Sequence, residues 1–145
     1  MKKCDCELCK FENPKPTVTA VIIRDGKILV LKRNENPFAG EWDFAGGYLQ
    51  KNETPEEALK RELKEELGVE SDLKFLGYFA GTASYHDYEF PVINIAYYAN
   101  LLGDIKLNTE ENSEVVWMPI SELETVAFDS NQKILKYIKK QKRED

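Results

Sequence analysis

The chain has 145 residues, of which 42% are hydrophobic and 32% are charged, a balance that predicts one globular domain with its own core. The formal net charge of −6 argues against non-specific nucleic-acid binding, which needs a basic surface. No apolar run reaches the length of a membrane span, and the first ten residues, MKKCDCELCK, carry no apolar signal segment, so we expect a cytoplasmic protein that does not contact membranes.

The N-terminal residues 1–16 are polar, and we interpret them as a tail that precedes a domain over residues 17–145. This tail contains the three cysteines Cys4, Cys6 and Cys9. In a reducing compartment their spacing favours Zn²⁺ binding over a disulfide. A structural zinc site takes four ligands, and the single histidine, His86, is distant in sequence. Two alternatives remain: a zinc element completed by a ligand from elsewhere, including a second chain, or an incomplete remnant.

The domain begins with two β-branched runs on either side of a turn signal. Thr17–Arg24 reads TVTAVIIR, Lys27–Arg33 reads KILVLKR, and Asp25-Gly26 between them predicts a β-hairpin. The following stretch, Asn34–Gly46, is predicted to be a loop. Gly46-Gly47 is predicted to end a strand or turn. Glycine lets a backbone approach a ligand and present a carbonyl to a metal, although an ordinary tight turn uses the same residues.

A helix is predicted over Pro55–Leu67. Thr54 begins a capping box, proline occupies the first helical position, and Gly68 is a stop signal. At about 100° per residue, one stripe of the helix faces the core and consists of Leu59, Leu63 and Leu67. A second stripe, bordered by Arg61, is acidic and consists of Glu62, Glu65 and Glu66.

The acidic stripe has two interpretations. Charged runs on helices are usually solvated surfaces. However, Glu62 has like-charged neighbours three and four positions along, and each such pair costs about 0.2–0.5 kcal/mol on an isolated helix. Mg²⁺ takes oxygen ligands and commonly needs one or two carboxylates in addition to substrate phosphates. The clustering therefore favours a divalent-cation site.

Three strands and a final helix are predicted after Gly68. The strands are Leu73–Phe79, Val92–Leu101 and Val115–Met118, a short helical turn covers Pro119–Glu124, and the helix covers Ser130–Lys140. The aromatic segment Tyr85–Phe90 is predicted to be a loop between strands. Candidates for stacking on a nucleobase are Tyr85, Tyr88 and, from the earlier loop, Phe38, and His86 is a candidate phosphate contact. The alternative is a hairpin with half-buried aromatic residues and an exposed histidine.

The segment from Gly47 to Val69 resembles the complete Nudix box, G-x5-E-x7-R-E-U-x-E-E-x-G-U, in which U is a bulky aliphatic residue. The matching residues are Gly47, Glu53, Arg61-Glu62-Leu63 and Glu65-Glu66-Leu67-Gly68-Val69. The resemblance implies an α/β fold, the Nudix α/β/α sandwich with a mixed β-sheet between helices. It also implies a hydrolase of nucleoside diphosphates linked to another moiety. In that family Mg²⁺ or Mn²⁺ is held by residues that match Glu65 and Glu66, helped by Glu62 and the backbone carbonyl of Gly46.

The resemblance further implies that Glu53 orients the loop before the helix and pairs with Arg61. We expect water to attack a pyrophosphate phosphorus, with metal ions neutralising phosphate oxygens and lowering the pKa of water. The general base is either a glutamate of the box or a downstream loop glutamate. Three loop residues are candidates, Glu110, Glu111 and Glu114, of which we favour Glu111. The alternative for all three is exposed loop charge.

Departures from related sequences bear on the substrate. The cysteine tail resembles a shortened zinc ribbon of NADH pyrophosphatase-like members, but the Ser-Gln-Pro-Trp run expected of those enzymes is replaced by Ala83–Tyr88. Many relatives also have proline where this chain has Ala45, a difference that we expect to matter little for catalysis. These departures argue against NADH as the substrate. Our first hypothesis for the substrate is ADP-ribose or a nucleotide sugar.

Three other functions stay open. One is a nucleoside triphosphate house-cleaning pyrophosphatase. Another is a nucleotide-sensing module without turnover, which predicts an eroded box and is disfavoured by the intact Glu62, Glu65 and Glu66. The third treats the cysteine tail as a nucleic-acid- or protein-binding zinc element. Because related sugar-nucleotide enzymes are often dimers, we expect a homodimer.

Overall fold

The computed structural model describes residues 7–144, and the side chains of Cys9 and of residues 142–144 are outside this description. Eight strands lie in the described range: β1 (Lys15–Val21), β2 (Ile23–Arg24), β3 (Lys27–Arg33), β4 (Trp42–Asp43), β5 (Ala45–Tyr48), β6 (Ser71–Tyr85), β7 (Tyr88–Leu101) and β8 (Asn112–Pro119). The helices are α1 (Pro55–Leu67), α2 (Asp129–Glu144) and two 3₁₀-helices, Glu7–Lys10 and Ile120–Glu122. Within this range no helix has the length and apolar character required to span a membrane.

The strands form two sheets. The first has the strand order β5-β1-β7-β6, in which β1 and β7 are parallel and the other pairs are antiparallel. In the second sheet, β3 pairs with β2 at its start, with β4 near its end and with β8 along its length. The first sheet is therefore mixed, as the sequence predicted.

The two helices lie over separate hydrophobic clusters. The first cluster contains the three buried leucines of α1 together with Val18 and Ala20 of β1. The second contains Ile134, Leu135 and Ile138 of α2 together with Val21 of β1. Because β1 contributes to both clusters, it is covered on both faces. The α/β/α arrangement with a mixed sheet between helices is confirmed.

The predicted first hairpin is correct at its turn and wrong in most of its pairing. Asp25 and Gly26 adopt positive φ angles of 51° and 76°, which a tight hairpin turn requires. However, only Ile23 and Arg24 pair with β3, since β1 lies in the other sheet between β5 and β7. The reason is that β1 is buried on both faces from Val18 to Val21, which suits a central strand with a parallel neighbour.

Helix α1 has the predicted bounds, Pro55–Leu67. The Thr54 hydroxyl accepts a hydrogen bond from the Glu57 backbone N–H, and the Glu57 carboxylate accepts one from the Thr54 N–H, both at 3.2 Å. Gly68 ends the helix in the left-handed conformation with φ 63°. The three leucines of the predicted core stripe are fully buried.

The β6–β7 hairpin is longer than predicted. For Tyr85–Phe90 the predicted loop is wrong, and the alternative interpretation of this segment as a hairpin is correct. The strands pair from Ser71↔Leu101 to Tyr85↔Tyr88, and the turn consists of His86 and Asp87. Strand pairing continues to the tip, which the prediction assigned to a loop because of its polarity.

The N-terminal predictions remain predictions. Cys4 and Cys6 lie outside the described residues, as does the side chain of Cys9. Strand β1 begins at Lys15, close to the predicted start of the domain at residue 17.

Candidate active site

The glycine pair lies inside a strand, although the sequence predicted that it ends a strand or turn. Gly46 and Gly47 are in β5, paired with Thr19 and Val18 of β1. A Cβ atom built on Gly47 would lie 2.5 Å from Oε1 of Glu62, and one on Gly46 would collide with the carbonyl oxygen of Val18. The absence of a side chain at Gly47 therefore lets the Glu62 carboxylate lie directly against β5.

Arg61 joins the loop before α1 to the acidic stripe. Its Nε and Nη2 donate to the two carboxylate oxygens of Glu53 at 2.6 and 3.0 Å, which is a bidentate pair. Its Nη1 donates to Glu62 at 2.9 Å and to Glu65 at 3.3 Å, and its Nη2 donates to the backbone carbonyl of Tyr48 at 3.1 Å. The hydrogen bonds from Arg61 lower the pKa of Glu53, and those to Glu53 raise the pKa of Arg61. The guanidinium thereby fixes β5, the loop and α1 relative to one another.

Glu62 and Glu66 face each other in a partly dehydrated pocket. Glu66 is only 7% exposed, and burial raises its pKa well above the usual range. The charge of Glu62 and the hydrogen bond between Glu62 and Glu66 raise the pKa of Glu66 further. The charges of Glu111 and Asp43 act in the same direction. Burial also raises the pKa of Glu62, although Arg61 partly opposes this. Glu65 differs, because its side chain is 56% exposed and turns toward Arg61. Buried Glu66 and partly buried Glu62 thus form a site at which negative charge lacks full compensation.

A loop before β8 places further oxygen atoms beside Glu66. The Asn108 N–H donates to the Glu66 carbonyl at 2.8 Å, and the Asn34 N–H donates to the Glu111 carbonyl at 3.0 Å. The first bond attaches the loop to the end of α1, and the second attaches it to the end of β3. A cleft of about 240 Å³ results, lined by Glu65, Glu66, Asn108, Glu110 and Glu111.

The three downstream glutamates therefore divide into two groups. Glu110 and Glu111 line the cleft, and the charge of Glu111 contributes to the raised pKa of Glu66. Glu114 instead lies on β8 opposite Lys32, with 3.8 Å between Oε2 and the lysine Nζ. The geometry retains Glu111 as a candidate base and gives no such support to Glu114.

A buried polar network that the sequence analysis missed lies behind the cleft. Asp43 accepts hydrogen bonds from Arg33 at 3.1 Å, from Asn131 at 2.8 Å and from the Phe44 N–H at 2.8 Å. Burial raises the pKa of Asp43 to about 6, although Arg33 and these hydrogen bonds oppose the shift. Asn131 also accepts from Asn94 at 2.9 Å, so the network attaches the start of α2 to the first sheet.

Sequence signals for this network were weak. Asp43 stands between two aromatic residues just before the glycine pair, and an acidic residue in so apolar a setting was a usable signal. Asn94 and Asn131 are 37 positions apart, and their contact depends on where α2 packs.

The predicted substrate-binding residues fall in two places. Tyr85, His86 and Tyr88 lie at the tip of the β6–β7 hairpin, where the rings of Tyr85 and His86 are 4.3 Å apart. Phe38 lies elsewhere, with its ring 5.0 Å from that of Phe128. The Arg33 guanidinium lies 4.9 Å from the centre of the Phe128 ring.

The acidic residues suit a hard divalent cation in their chemistry. Within the described residues, no group of three or more His, Cys, Asp or Glu side chains is arranged so that it could hold a metal ion. Nevertheless Glu62, Glu66 and Glu111 bring carboxylate oxygens near one another at a partly buried position. Their mutual repulsion is what a bound cation would relieve.

Several known proteins are similar to this chain in sequence or fold. The NUDIX domain family matches residues 13–140 of the chain. The chain is 33% identical over 127 residues to the ADP-ribose pyrophosphatase of Methanocaldococcus jannaschii, covering 87% of this chain and 73% of that protein. It is 51% identical over 55 residues to the CTP pyrophosphohydrolase of Escherichia coli, covering 37% of this chain and 41% of that protein. The solution structure of the E. coli ORF135 protein is similar with a TM-score of 0.73 and 26% identity, covering 88% of this chain and 90% of that chain.

Proposed function

The chain belongs to the Nudix family of hydrolases, and from this premise we propose that it is a Mg²⁺-dependent pyrophosphohydrolase that acts on ADP-ribose or a nucleotide sugar. The observation that carries the proposal is the pair formed by buried Glu66 and partly buried Glu62. This pair lies against the glycine pair and beside the cleft that Glu111 lines. Solvated surface carboxylates would not be dehydrated in this way.

The residues of the site have distinct roles in this proposal. Glu62, Glu65, Glu66 and the carbonyl oxygen of Gly46 would hold Mg²⁺ or Mn²⁺. The bound ion supplies neutralisation of phosphate oxygens and lowers the pKa of nearby water. Glu53 and Arg61 hold β5 and α1 in a fixed relative position. The Gly46 carbonyl and the glutamate carboxylates of α1 thereby stay on the same side of the cleft.

The reaction adds water across the P–O–P bond of the substrate. A carboxylate oxygen of Glu111 takes a proton from the attacking water, whose oxygen bonds to one phosphorus. The bond from that phosphorus to the bridging oxygen breaks, and the bridging oxygen leaves with the other phosphate group. For ADP-ribose the products are AMP and ribose 5-phosphate. A glutamate of the box is the alternative base.

The choice of substrate is supported by the 33% identity to an ADP-ribose pyrophosphatase over most of this chain. A nucleoside triphosphate pyrophosphatase is the second candidate. It is favoured by the 51% identity to a CTP pyrophosphohydrolase, although that match spans 55 residues. The hairpin tip with Tyr85, His86 and Tyr88 and the separate Phe38 are proposed to contact the nucleotide.

A second metal is proposed for the N-terminal tail, where Cys4, Cys6 and Cys9 would bind Zn²⁺. The spacing of these cysteines supports this proposal. Metal analysis of the purified protein tests it, and a protein without stoichiometric zinc would contradict it.

The functional proposal is tested by product analysis with Mg²⁺ across a panel of substrates. The panel contains ADP-ribose, NADH, nucleoside diphosphate sugars, diadenosine polyphosphates and nucleoside triphosphates. We expect ADP-ribose or a nucleotide sugar to have the highest kcat/KM, with turnover lost in Glu66→Gln. Preference for a nucleoside triphosphate would establish the second candidate. Binding without turnover of any compound would instead indicate a nucleotide sensor.

A further inference from the structure

Three aromatic rings form a row on one face of the first sheet. They belong to Tyr48, Phe90 and Tyr88, and we call them the aromatic ledge. The ring centres of Tyr48 and Phe90 are 6.4 Å apart, and those of Phe90 and Tyr88 are 6.0 Å apart with an angle of 22° between the planes. Tyr48 and Tyr88 are 45% and 47% exposed, so flat ring surface is open to solvent.

The ledge starts next to the glycine pair. Tyr48 lies two residues after Gly46 in β5, which corresponds to about 7 Å along a strand. Arg61, which also bonds Glu53 and Glu62, holds the carbonyl oxygen of Tyr48. Side chains alternate along β5, so the Tyr48 ring lies on the face of the sheet opposite to the one at which Gly47 meets Glu62. Because β5 is the edge strand of this sheet, a substrate with its pyrophosphate at the carboxylates would reach the ledge around that edge.

The surface beside the ledge offers little for reading the edge of a base. Tyr48, Thr17 and Asn94 occupy one row across β5, β1 and β7. The Asn94 amide donates to Ser130 at 3.1 Å and to Asn131 at 2.9 Å, and its oxygen accepts from Thr19 at 2.9 Å. Asn94 and Asn131 are 3% and 5% exposed. Their amide groups are therefore used in hydrogen bonds that hold α2 on the sheet, rather than in binding a ligand.

We infer that the aromatic ledge binds the nucleobase of the substrate by stacking, so that the enzyme requires an aromatic base but discriminates little between bases. This inference rests on the proposed function. Stacking is tolerant of base identity because every base has a π-face, whereas discrimination needs unpaired donors and acceptors at the base edge.

The test compares steady-state kinetics of ADP-ribose and GDP-ribose with Mg²⁺ in the wild type and in variants of the ledge. Tyr88→Leu and Phe90→Leu remove a ring but keep an apolar side chain, and Tyr88→Phe keeps the ring. The matched control is Tyr78→Leu, a tyrosine that is 69% exposed on the opposite face of the same hairpin. Sedimentation of each variant reports whether the ledge is a subunit interface, and quenching of etheno-ADP fluorescence reports stacking without turnover.

We expect each leucine variant of the ledge to raise KM about tenfold with little change in kcat, and to weaken etheno-ADP quenching. Tyr88→Phe, which keeps the ring, should raise KM less than Tyr88→Leu does. Tyr78→Leu should match the wild type, and the two substrates should differ by less than tenfold in kcat/KM. Three results would each overturn the inference. Ledge variants could behave like Tyr78→Leu, or the two substrates could differ in kcat/KM by more than roughly a hundredfold. The third result is that dissociation of a dimer causes the loss of activity in the ledge variants. A wild type that hydrolyses neither compound but another panel member would instead refute the proposed substrate, with etheno-ADP quenching still testing the ledge.

Discussion

At the scale of single residues, Arg61 connects most of the candidate site. It donates to carboxylates on the preceding loop and on α1, and to a carbonyl on β5. A guanidinium can do this because its donors form a planar fork, whereas an ammonium group is a point charge without that geometry. The position of Glu62 against Gly47 therefore depends on a side chain that is outside the proposed ligand set.

We predict that Arg61→Lys and Glu53→Gln each lower kcat by about 10²-fold, because both changes loosen the position of β5 relative to α1. The double variant should lose little more than either single variant, since both changes break the same pair. Steady-state kinetics of the three variants check this. If the fold-decrease in kcat of the double variant equals the product of the two single decreases, the two residues act independently.

The buried carboxyl of Asp43 predicts a pH dependence of stability. Burial raises its pKa from 3.8 to about 6, so the folded protein binds this proton more tightly than the unfolded chain does. Its contribution to the free energy of unfolding is therefore complete below about pH 4 and is lost as the pH rises through about 6, a change of roughly 2–3 kcal/mol.

Asp43→Asn should remove this part of the pH dependence. The measurement is urea unfolding from pH 4 to pH 7 in EDTA, comparing the variant with the wild type and with the exposed control Asp104→Asn. The difference in unfolding free energy between Asp43→Asn and the wild type should change across this window, whereas that for Asp104→Asn should stay constant. Parallel curves for Asp43→Asn would contradict the prediction.

At the scale of elements, the accuracy of the sequence predictions follows the range of the interactions involved. Helix α1 was predicted to the residue because its cap, its stop signal and its leucine stripe are all local. The pairing of β1 was not predicted correctly, because its partner strand β7 lies more than 70 positions away in the sequence. The cleft beside Glu66 likewise needs the loop before β8 to cross the end of α1.

The attachment of α2 to the first sheet can be tested at Asn131. Asn131→Ala removes one buried hydrogen-bond partner from Asp43 and one from Asn94, so we expect a loss of about 1–3 kcal/mol in unfolding free energy. Lys136→Ala, at an exposed position of the same helix, is the control and should have little effect. Equal stability of the two variants in urea unfolding would show that the network does not fasten α2.

At the scale of the whole molecule, a chain of net charge −6 gathers several of its carboxylates at one cleft. Such a site repels an anionic substrate unless a cation intervenes, so metal binding and substrate binding are coupled. Mg²⁺ should also stabilise the fold in proportion to the logarithm of its concentration above the Kd. We expect the Tm of the wild type to rise with Mg²⁺ and that of Glu66→Gln to change much less, as followed by thermal unfolding.

The most direct test of the central claim is the Mg²⁺ dependence of hydrolysis of the preferred substrate in the wild type, Glu66→Gln and Glu114→Gln. Glu114 is a glutamate of the same region that pairs with Lys32 outside the cleft. We predict no turnover in EDTA, saturating activation by Mg²⁺ in the wild type and Glu114→Gln, and a loss of at least about 10²-fold in Glu66→Gln. Full activity in EDTA, or wild-type activity in Glu66→Gln, would contradict the assignment of the buried glutamates as the metal-dependent catalytic site.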